Sequence, residues 1–167
     1  SVYSVLMVAR KDREIVGYMD GYIDDFDTLY QTELSLHYPS LPWEFIRNKV
    51  EQVLDRKVRE MMYFSEAGFI QAYSGLQNFF SLFRALFSAC DRQYRLVPGI
   101  TELDNNNQNL YRIYQIMGSR VLDLPRGAVN GAHDRYESVV SVFDSPIDDF
   151  FTKFDLPFRE FLRKYMK

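Results

Sequence analysis

The chain of 167 residues is long enough for one domain with a sizeable core, and 47% of its residues are hydrophobic. Its net charge of −3 combines both signs without a basic cluster, which excludes the electrostatic footprint that nucleic-acid backbones require. No apolar run approaches the roughly 18 to 20 residues that span a bilayer, so we expect a soluble, cytoplasmic protein with no nucleic-acid or membrane partner. The single cysteine excludes an intrachain disulfide and a cysteine-based zinc cluster.

Two strands joined by a charged turn are predicted at the start of the chain. Residues 5–9 and 15–23 are mainly apolar, and the turn between them is charged. Asp24, Asp25 and Asp27 follow the second strand. Their spacing does not match a calcium-binding loop, and no glycine or later glutamate completes one. We therefore expect a solvated acidic turn there and no metal site.

A long helix is predicted over residues 41–62, because apolar residues recur there at helical spacing and the opposite face is charged. Pro42 is tolerated in the first turn of a helix. The pattern leaves the role of this helix open between a packing element and a contact with a second copy of the chain. The apolar stripe consists of Trp43, Ile46, Val50, Val53, Leu54, Val58 and Met61.

A strand, a turn and a helix are predicted at residues 62–71, 72–78 and 79–90. The backbone N–H groups at the start of such a helix point outward and the helix dipole favours negative charge, so this arrangement binds anions such as pyrophosphate without a basic side chain. Cys90 lies on the apolar side of the helix, close to Phe87. We expect a buried structural cysteine, because a catalytic one needs an exposed and electropositive setting.

A capped helix between strands is predicted in the following stretch. Leu110, Ile113, Tyr114 and Met117 fall at the i, i+3, i+4 and i+7 positions of one helix face. Gly118 can take the left-handed conformation that ends the helix. The neighbouring strands are predicted at residues 97–103, 120–124 and 136–143, and Asn105, Asn106 and Asn107 offer an N-cap.

The C-terminal segment from Ser145 is predicted to be helical, with an interruption at Pro157. One face of it is strongly aromatic and must be buried by the sheet or by a second chain. A homodimer contact through this segment or through the helix at 41–62 is therefore an expectation to test. The aromatic residues of the segment are Phe150, Phe151, Phe154, Phe158, Phe161 and Tyr165.

Two of these segments resemble the GNAT superfamily of acyl-CoA-dependent N-acyltransferases. In that family a strand leads to an Asn, then to a helix with a Tyr and a closing Gly, then to another strand. The residues at that spacing here are Asn107, Leu110, Ile113, Tyr114 and Gly118, with Leu110 in place of the usual Ala and Ser119 in place of the usual Phe. The opening hairpin also looks like the second and third strands of the family, because a hydrophobic strand and a charged turn lead into Ile-Val-Gly-Tyr.

The resemblance implies an α+β fold with a mixed, mostly antiparallel twisted sheet of about six strands flanked by helices. It extends from residue 3 to residue 143, and the helix at about 41–62 is an insertion relative to the family. In such a fold the inserted helix could lie over the acceptor cleft, and it could equally be a packing element or a dimer contact. We expect a single acyltransferase-like domain over residues 1–167. Its parts are a strand hairpin (1–26), the inserted helix (41–62), a cofactor-binding half (62–124), and the last strand with the C-terminal helical segment (135–167).

The resemblance also implies an N-acyltransferase, in the simplest case an acetyltransferase, with acetyl-CoA or another acyl-CoA as co-substrate and no metal. The acceptor would be a small-molecule or peptide amine that attacks directly in a ternary complex. Tyr114 matches the residue that protonates the CoA sulfur, Glu66 the general base, and Asn107 the contact to the pantetheine arm. The residues matching the pyrophosphate turn are Gln71, Ser74, Gly75, Leu76 and Gln77, with one Gly where the family pattern has two and with Gln71 one position early.

Plainer interpretations stay open at each of these positions. Glu66 can be an exposed residue near a strand end, Tyr114 a core aromatic and Asn107 only an N-cap. The whole chain can equally be a non-catalytic GNAT-like binding module, or an acyltransferase whose donor is an acyl-carrier protein. A gap between the strands at 62–71 and 97–103 favours a pantetheine site, and a filled gap favours the module.

Overall fold

A computed structural model describes residues 3–35, 38–104, 108–125 and 138–166. Within these ranges the chain forms one six-stranded sheet with six α-helices, a π-helical turn (Tyr30–Leu34) and a 3-10 turn (Gln71–Tyr73). The strands are β1 (Tyr3–Lys11), β2 (Glu14–Asp25), β3 (Glu60–Phe69), β4 (Gly99–Asp104), β5 (Arg120–Val121) and β6 (Ser138–Phe143). The α-helices are α1 (Phe26–Leu29), α2 (Trp43–Leu54), α3 (Leu76–Tyr94), α4 (Gln108–Ile116), α5 (Pro146–Phe154) and α6 (Phe158–Tyr165).

The strand order in the sheet is β1-β2-β3-β4-β6-β5, and every neighbouring pair is antiparallel except β3 and β4. A parallel pair needs a crossover connection, which α3 supplies between β3 and β4. The mixed, mostly antiparallel α+β architecture predicted from the sequence is therefore confirmed.

The inserted helix is shorter than the predicted span of 41–62. It ends at Leu54, because Asp55 takes a left-handed conformation with φ of 52°. Val58 and Met61 continue the apolar spacing, and both are buried, but Val58 lies in the loop and Met61 on β3. The prediction was wrong beyond residue 54 because burial in a loop and a strand happened to extend the helical pattern.

The sheet separates two hydrophobic cores, one on each face. The core beside α3 holds the apolar faces of α3, α4, α5 and α6, and the core beside α2 holds those of α1, the π-helical turn and α2. The α3-side core includes Met19, Phe64, Phe83, Leu103, Phe143 and Phe150. The α2-side core includes Phe26, Ile46, Tyr63, Ile100 and Val142.

The aromatic face of the C-terminal segment is covered within the chain. Phe150, Phe154 and Phe161 are fully buried, and each packs within 5.7 Å of the Phe80 ring on α3, centroid to centroid. The Arg84 guanidinium also donates to the carbonyl oxygens of two residues at the bend between α5 and α6. These three rings therefore belong to the core of the domain rather than to a free surface for a second copy.

Candidate active site

A fork in the sheet creates the candidate site. β3 and β4 pair over only three positions, the last of which joins Phe64 to Thr101. Beyond that point β3 stays with β2, up to the pairing of Phe69 with Gly17, while β4 stays with β6. The two halves of the sheet separate and leave a V-shaped gap between β3 and β4, as the pantetheine-site hypothesis requires.

A bulge in β3 accounts for the fork. Met19 pairs with Ala67 and Gly21 with Phe64, so β3 uses one more residue than β2 over this stretch, at Ser65 and Glu66. An extra residue bends the bulged strand and disrupts its ladder. At the apex of the fork the buried Thr101 hydroxyl donates to the Phe64 carbonyl oxygen at 2.9 Å, which satisfies the last acceptor before the strands diverge.

The gap contains a cavity of about 470 Å³. Its apolar side is formed by Phe64, Phe83, Leu103 and Leu110. The Tyr114 side chain on α4 borders the same space. A cavity of this size falls within the range of small-molecule sites, which are mostly apolar with a few placed polar groups.

Tyr114 is held in place by the way α4 ends. Gly118 has φ of +88°, its N–H donates to Gln115 at 3.0 Å, and the N–H of Ser119 donates to the Tyr114 carbonyl oxygen at 2.9 Å. This pair of bonds forms a Schellman motif, and the left-handed conformation predicted at Gly118 is confirmed. The Tyr114 ring is fixed by edge contacts with Phe83 at 5.5 Å and Phe143 at 5.4 Å.

The Tyr114 hydroxyl has an unusual environment. The residue is only 4% exposed, and its side chain borders the cavity. Burial raises the pKa of Tyr114 well above that of an ordinary tyrosine, so the hydroxyl stays protonated at neutral pH. The Tyr114 ring is thus part of the hydrophobic core. The same side chain also borders the cavity, and its hydroxyl carries a proton that it can donate.

The predicted pyrophosphate turn lies at the start of α3. Gly75 is in extended conformation, and its carbonyl oxygen accepts from the N–H groups of Asn78 and Phe79 at 3.1 Å each. The helix therefore begins at Leu76 rather than at the predicted residue 79. In helix geometry the N–H groups of Leu76 and Gln77 have no intrahelical acceptor and remain available to an anion.

The turn is open where a phosphate would need to approach. A β-carbon placed on Gly75 would meet no atom within 4 Å. The Ser74 hydroxyl donates to the Gln71 carbonyl oxygen at 2.9 Å, so both residues shape the turn. Gln71 lies in the 3-10 turn rather than in the predicted strand, because β3 ends at Phe69.

A basic side chain reaches this turn from another element. The Lys11 ammonium, at the end of β1, lies over the Tyr73 ring at 5.3 Å from its centroid. The stretch from residue 70 to 83 contains no Lys or Arg, so sequence reading of the turn alone finds no cation there. Only the pairing of β1, β2 and β3 brings Lys11 to this position.

Two predicted site residues lie at the limits of what the structure describes. Asn107 lies outside the described residues. Glu66 is described in its backbone only, which lies at the bulge of β3 beside the gap. Their predicted roles, the pantetheine contact and the general base, stay predictions.

Asp25 explains the acidic turn after β2. Its carboxylate caps α1 by accepting from the Thr28 N–H at 2.9 Å and from the Thr28 hydroxyl at 2.8 Å. Across the described ranges, His, Cys, Asp and Glu side chains form no group of three placed to hold a metal ion. In the same ranges no helix combines the length and the apolarity that crossing a membrane requires.

Polar residues of the gap were missed by the sequence reading. Asp20, Glu102, Ser65 and Tyr18 also line the cavity. Each looks like an ordinary exposed position of an alternating strand, and the sheet pairing alone brings β2, β3 and β4 together at the fork. The alternation in Thr-Glu-Leu-Asp at 101–104 is the one local signal that places Glu102 on the face opposite Leu103.

No protein-family model and no curated protein matches the chain. Solved structures do match it. Arabidopsis thaliana Naa50, in complex with a bisubstrate analogue of CoA, aligns with 82% of this chain over 70% of its own, at 13% identity and a TM-score of 0.51. The Drosophila melanogaster polyamine N-acetyltransferase aligns with 83% of this chain over 74% of its own, at 13% identity and a TM-score of 0.53. FeeM, an N-acyl amino acid synthase from uncultured soil microbes, aligns with 86% of this chain over 68% of its own, at 11% identity and a TM-score of 0.51.

The chain has the GNAT fold. The resemblance seen in the opening hairpin and around Tyr114 is thereby confirmed at the level of architecture. Because these structures share only 11% to 13% sequence identity with this chain, their similarity establishes the fold alone. An activity therefore has to be inferred from the geometry of the fork.

Proposed function

We propose that this chain is an N-acyltransferase that transfers an acyl group from acyl-CoA to an amine by direct attack in a ternary complex. The observation that carries the proposal is the fork between β3 and β4, with a cavity that the buried Tyr114 side chain borders. A GNAT-like module without catalysis has no need to keep this gap open.

The fork suits the pantetheine arm of the donor. Beyond Phe64, the edge of β3 that faces the gap has no ladder partner on β4. An extended chain that carries amide groups can pair with such an edge as an added strand does. The first-turn N–H groups of α3 would then hold the pyrophosphate beside Gly75, and the Lys11 ammonium would add a positive charge nearby.

The residues around the gap divide the proton transfers of the reaction. The amine nitrogen attacks the thioester carbon, the carbon–sulfur bond breaks, and the thiolate leaves with the electron pair. Tyr114 is the candidate to donate a proton or a hydrogen bond to that sulfur, because its hydroxyl is protonated and desolvated. Glu66, on the bulge, is the candidate to take the proton that the amine loses.

A donor on an acyl-carrier protein is the second candidate. The turn has one Gly, and Gln77 stands where the family pattern has Gly or Ala, which weakens the case for a tightly held CoA pyrophosphate. A carrier-bound arm needs only the fork. The two donors differ in whether the turn at Gly75 contributes to binding.

Thermal unfolding with acetyl-CoA, longer acyl-CoAs and acetyl-pantetheine tests the proposal. A ligand at 100 times its Kd stabilises the folded state by about 2.7 kcal/mol, which is readily measured. We expect acyl-CoA to raise Tm and to release free thiol when a panel of amines is added. If no acyl-CoA or acyl-pantetheine raises Tm, the donor site does not exist and the proposal fails.

Gly75→Ala separates the two donors. Gly75 has an ordinary extended φ of −169°, and the new methyl group enters open space, so stability should stay within about 0.5 kcal/mol of the unmodified chain. If the turn holds the pyrophosphate, this variant weakens acetyl-CoA but leaves acetyl-pantetheine unchanged. Equal affinities of the variant and the unmodified chain for acetyl-CoA would instead favour the carrier-protein donor.

A further inference from the structure

β1 is an open edge of the sheet. Within the part of the chain that the structure describes, β2 alone pairs with it, and the strand is nine residues long, Tyr3–Lys11. β5, at the opposite edge, has only two residues. An edge strand presents a row of backbone N–H and C=O groups without ladder partners, so a long one is a template for another strand. The two edges of this sheet therefore differ in what they offer to another chain.

β1 lacks the features with which proteins usually block such an edge. Edge strands are commonly interrupted by charged side chains, by proline or by bulges. The stretch from Tyr3 to Ala9 contains no charged residue and no proline, and its pairing with β2 is regular up to the register shift between Ala9 and Arg10. The charges of the strand are confined to Arg10 and Lys11 at its end. Most of the length of β1 is thus able to pair.

The exposed side chains in the middle of β1 are apolar. Val5 and Met7 belong to the α3 side of the sheet, where they pack in the core. Leu6 and Val8 alternate with them and therefore lie on the opposite side. There Leu6 is 62% exposed and Val8 40% exposed. Single apolar residues are normal on a surface, but this pair places apolar area directly beside the open backbone edge.

We propose that β1 pairs with β1 of a second copy of this chain, in antiparallel orientation about a two-fold axis at Met7. Met7 is the middle residue of the strand, so this register pairs all nine residues. Leu6 of each copy then lies opposite Val8 of the other, and Val5 lies opposite Ala9. Apolar side chains meet on both faces of the joined sheet. A strand whose two halves match about its own centre is self-complementary, which is what a two-fold dimer requires.

The charges at the end of β1 favour the antiparallel arrangement. Parallel pairing would set Arg10 and Lys11 beside the same residues of the other copy, and like charges directly opposite each other destabilise a strand pair. In the antiparallel register Arg10 lies opposite Ser4, and Lys11 lies opposite Tyr3, so neither faces a charge. The two Arg10 residues are then roughly 20 Å apart along the strands, about twice the screening length at physiological salt.

The expected contact is long and narrow. Nine residues at about 3.3 Å each give a strand pair roughly 30 Å long, in which main-chain hydrogen bonds supply much of the affinity. Such an edge contact falls at the small end of specific interfaces, so we expect a dimer that dissociates on dilution. β2 separates β1 from β3, so the assembly leaves the fork open and is independent of the proposed acyl transfer.

Analytical ultracentrifugation of the unmodified chain tests the dimer, at concentrations from about 1 µM to about 1 mM, which covers weak and moderate association. We expect the mass to rise from that of the monomer to twice that value. Amide hydrogen exchange in β1 should slow over the same range, because backbone groups at the edge become paired. A chain that stays monomeric throughout overturns the proposal, and so does a dimer in which the exchange of the β1 amides is unchanged.

Two double variants test the register about Met7. Leu6→Lys combined with Val8→Lys sets like charges opposite each other at both central pairs, and we expect the dissociation constant to rise at least about tenfold. Leu6→Lys combined with Val8→Glu sets opposite charges at the same pairs, so this variant should still dimerise. Both positions are exposed in the monomer, so its fold tolerates either change. If the two double variants dimerise equally or dissociate equally, β1 does not pair in this register.

Val121→Lys is the matched control. Val121 is 43% exposed, much like Val8, and it lies on β5 at the other edge of the sheet. The substitution adds the same charge to a similar exposed strand position, and the dimer should be unaffected. A loss of the dimer in Val121→Lys as large as in the variant with two lysines would contradict a contact through β1.

Discussion

Tyr114→Phe should lower turnover and leave the stability nearly unchanged. A fully buried hydroxyl without a hydrogen bond costs about 1 to 3 kcal/mol by comparison with an apolar group. The Tyr114 hydroxyl is not among the side-chain atoms of the described residues in that state. Because Tyr114 borders a cavity of about 470 Å³ that water can enter, its hydroxyl can be hydrated and this cost does not apply. The ring keeps its contacts with Phe83 and Phe143 in the variant, so the packing is unchanged.

We therefore expect Tyr114→Phe to change the free energy of unfolding by less than about 0.5 kcal/mol. Removal of a general acid typically lowers turnover by a factor of about 10² to 10⁴. Urea unfolding measures the first quantity and thiol release with a saturating amine measures the second. The affinity for acyl-CoA should change little, because the hydroxyl acts on the leaving sulfur.

Tyr94→Phe is the matched control. Tyr94 is also buried, at 7% exposure, but it packs on Tyr3 at 5.1 Å and does not border the cavity. Turnover should be unchanged in this variant. If Tyr114→Phe instead lowers stability by more than about 1 kcal/mol, its hydroxyl has a structural partner; if turnover is unchanged, Tyr114 is not the acid.

Three further predictions concern the structure around the candidate site, two for substitutions and one for the reactivity of a cysteine. Glu51→Ala should lower the free energy of unfolding in urea by about 2 kcal/mol, because Glu51 accepts from the Val58 N–H at 3.1 Å and from the Lys57 ammonium at 2.7 Å. Glu51→Gln should recover part of that loss. An unchanged unfolding free energy in Glu51→Ala would refute this role. Asp25→Ala should lower the free energy of unfolding by about 1 kcal/mol at neutral pH, because the cap of α1 is lost. The bond from the Thr28 N–H lowers the pKa of Asp25, so the difference in unfolding free energy between the variant and the unmodified chain should shrink as pH falls below 3.8 and should not shrink as pH rises. Cys90 should resist thiol reagents at pH 8 in the folded protein and react after unfolding, because it is 2% exposed and burial raises its pKa to about 11. Fast labelling of Cys90 in the folded protein would contradict this prediction.

Local signals predicted the parts of the fold that local chemistry determines. The helix ending at Gly118 follows from its apolar face and from the one residue type that readily adopts φ of +88°. The buried state of Cys90 follows from its place on an apolar helix face. The helix at 41–62 was overextended because Val58 and Met61 are apolar for reasons of tertiary packing.

The decisive features of the site depend on pairing between distant segments. No local pattern marks Ser65 and Glu66 as a bulge, since an extra residue shows only against the register of β2. Asp20 and Glu102 come from different strands and each looks like a solvated strand residue. The sequence pattern predicted the turn at Gly75 and the position of Tyr114 segment by segment, and it could not show that Asp20 and Glu102 line the same cavity as Tyr114.

At the fork, the continuous sheet divides into two halves that no longer pair with each other. Up to Phe64 and Thr101, the sheet is continuous and residues such as Tyr63 and Ile100 seal its α2 face. Past that point each half-sheet is held by its own neighbours, β2 on one side and β6 on the other, so the gap can stay open without loss of either core. In the proposed reaction, an acyl donor and an amine would meet in this gap and together exclude water from the reacting atoms. Filling the gap from β3, for instance by Ala67→Trp at its rim, should therefore block both substrates while leaving the two cores, and hence the unfolding free energy, nearly unchanged.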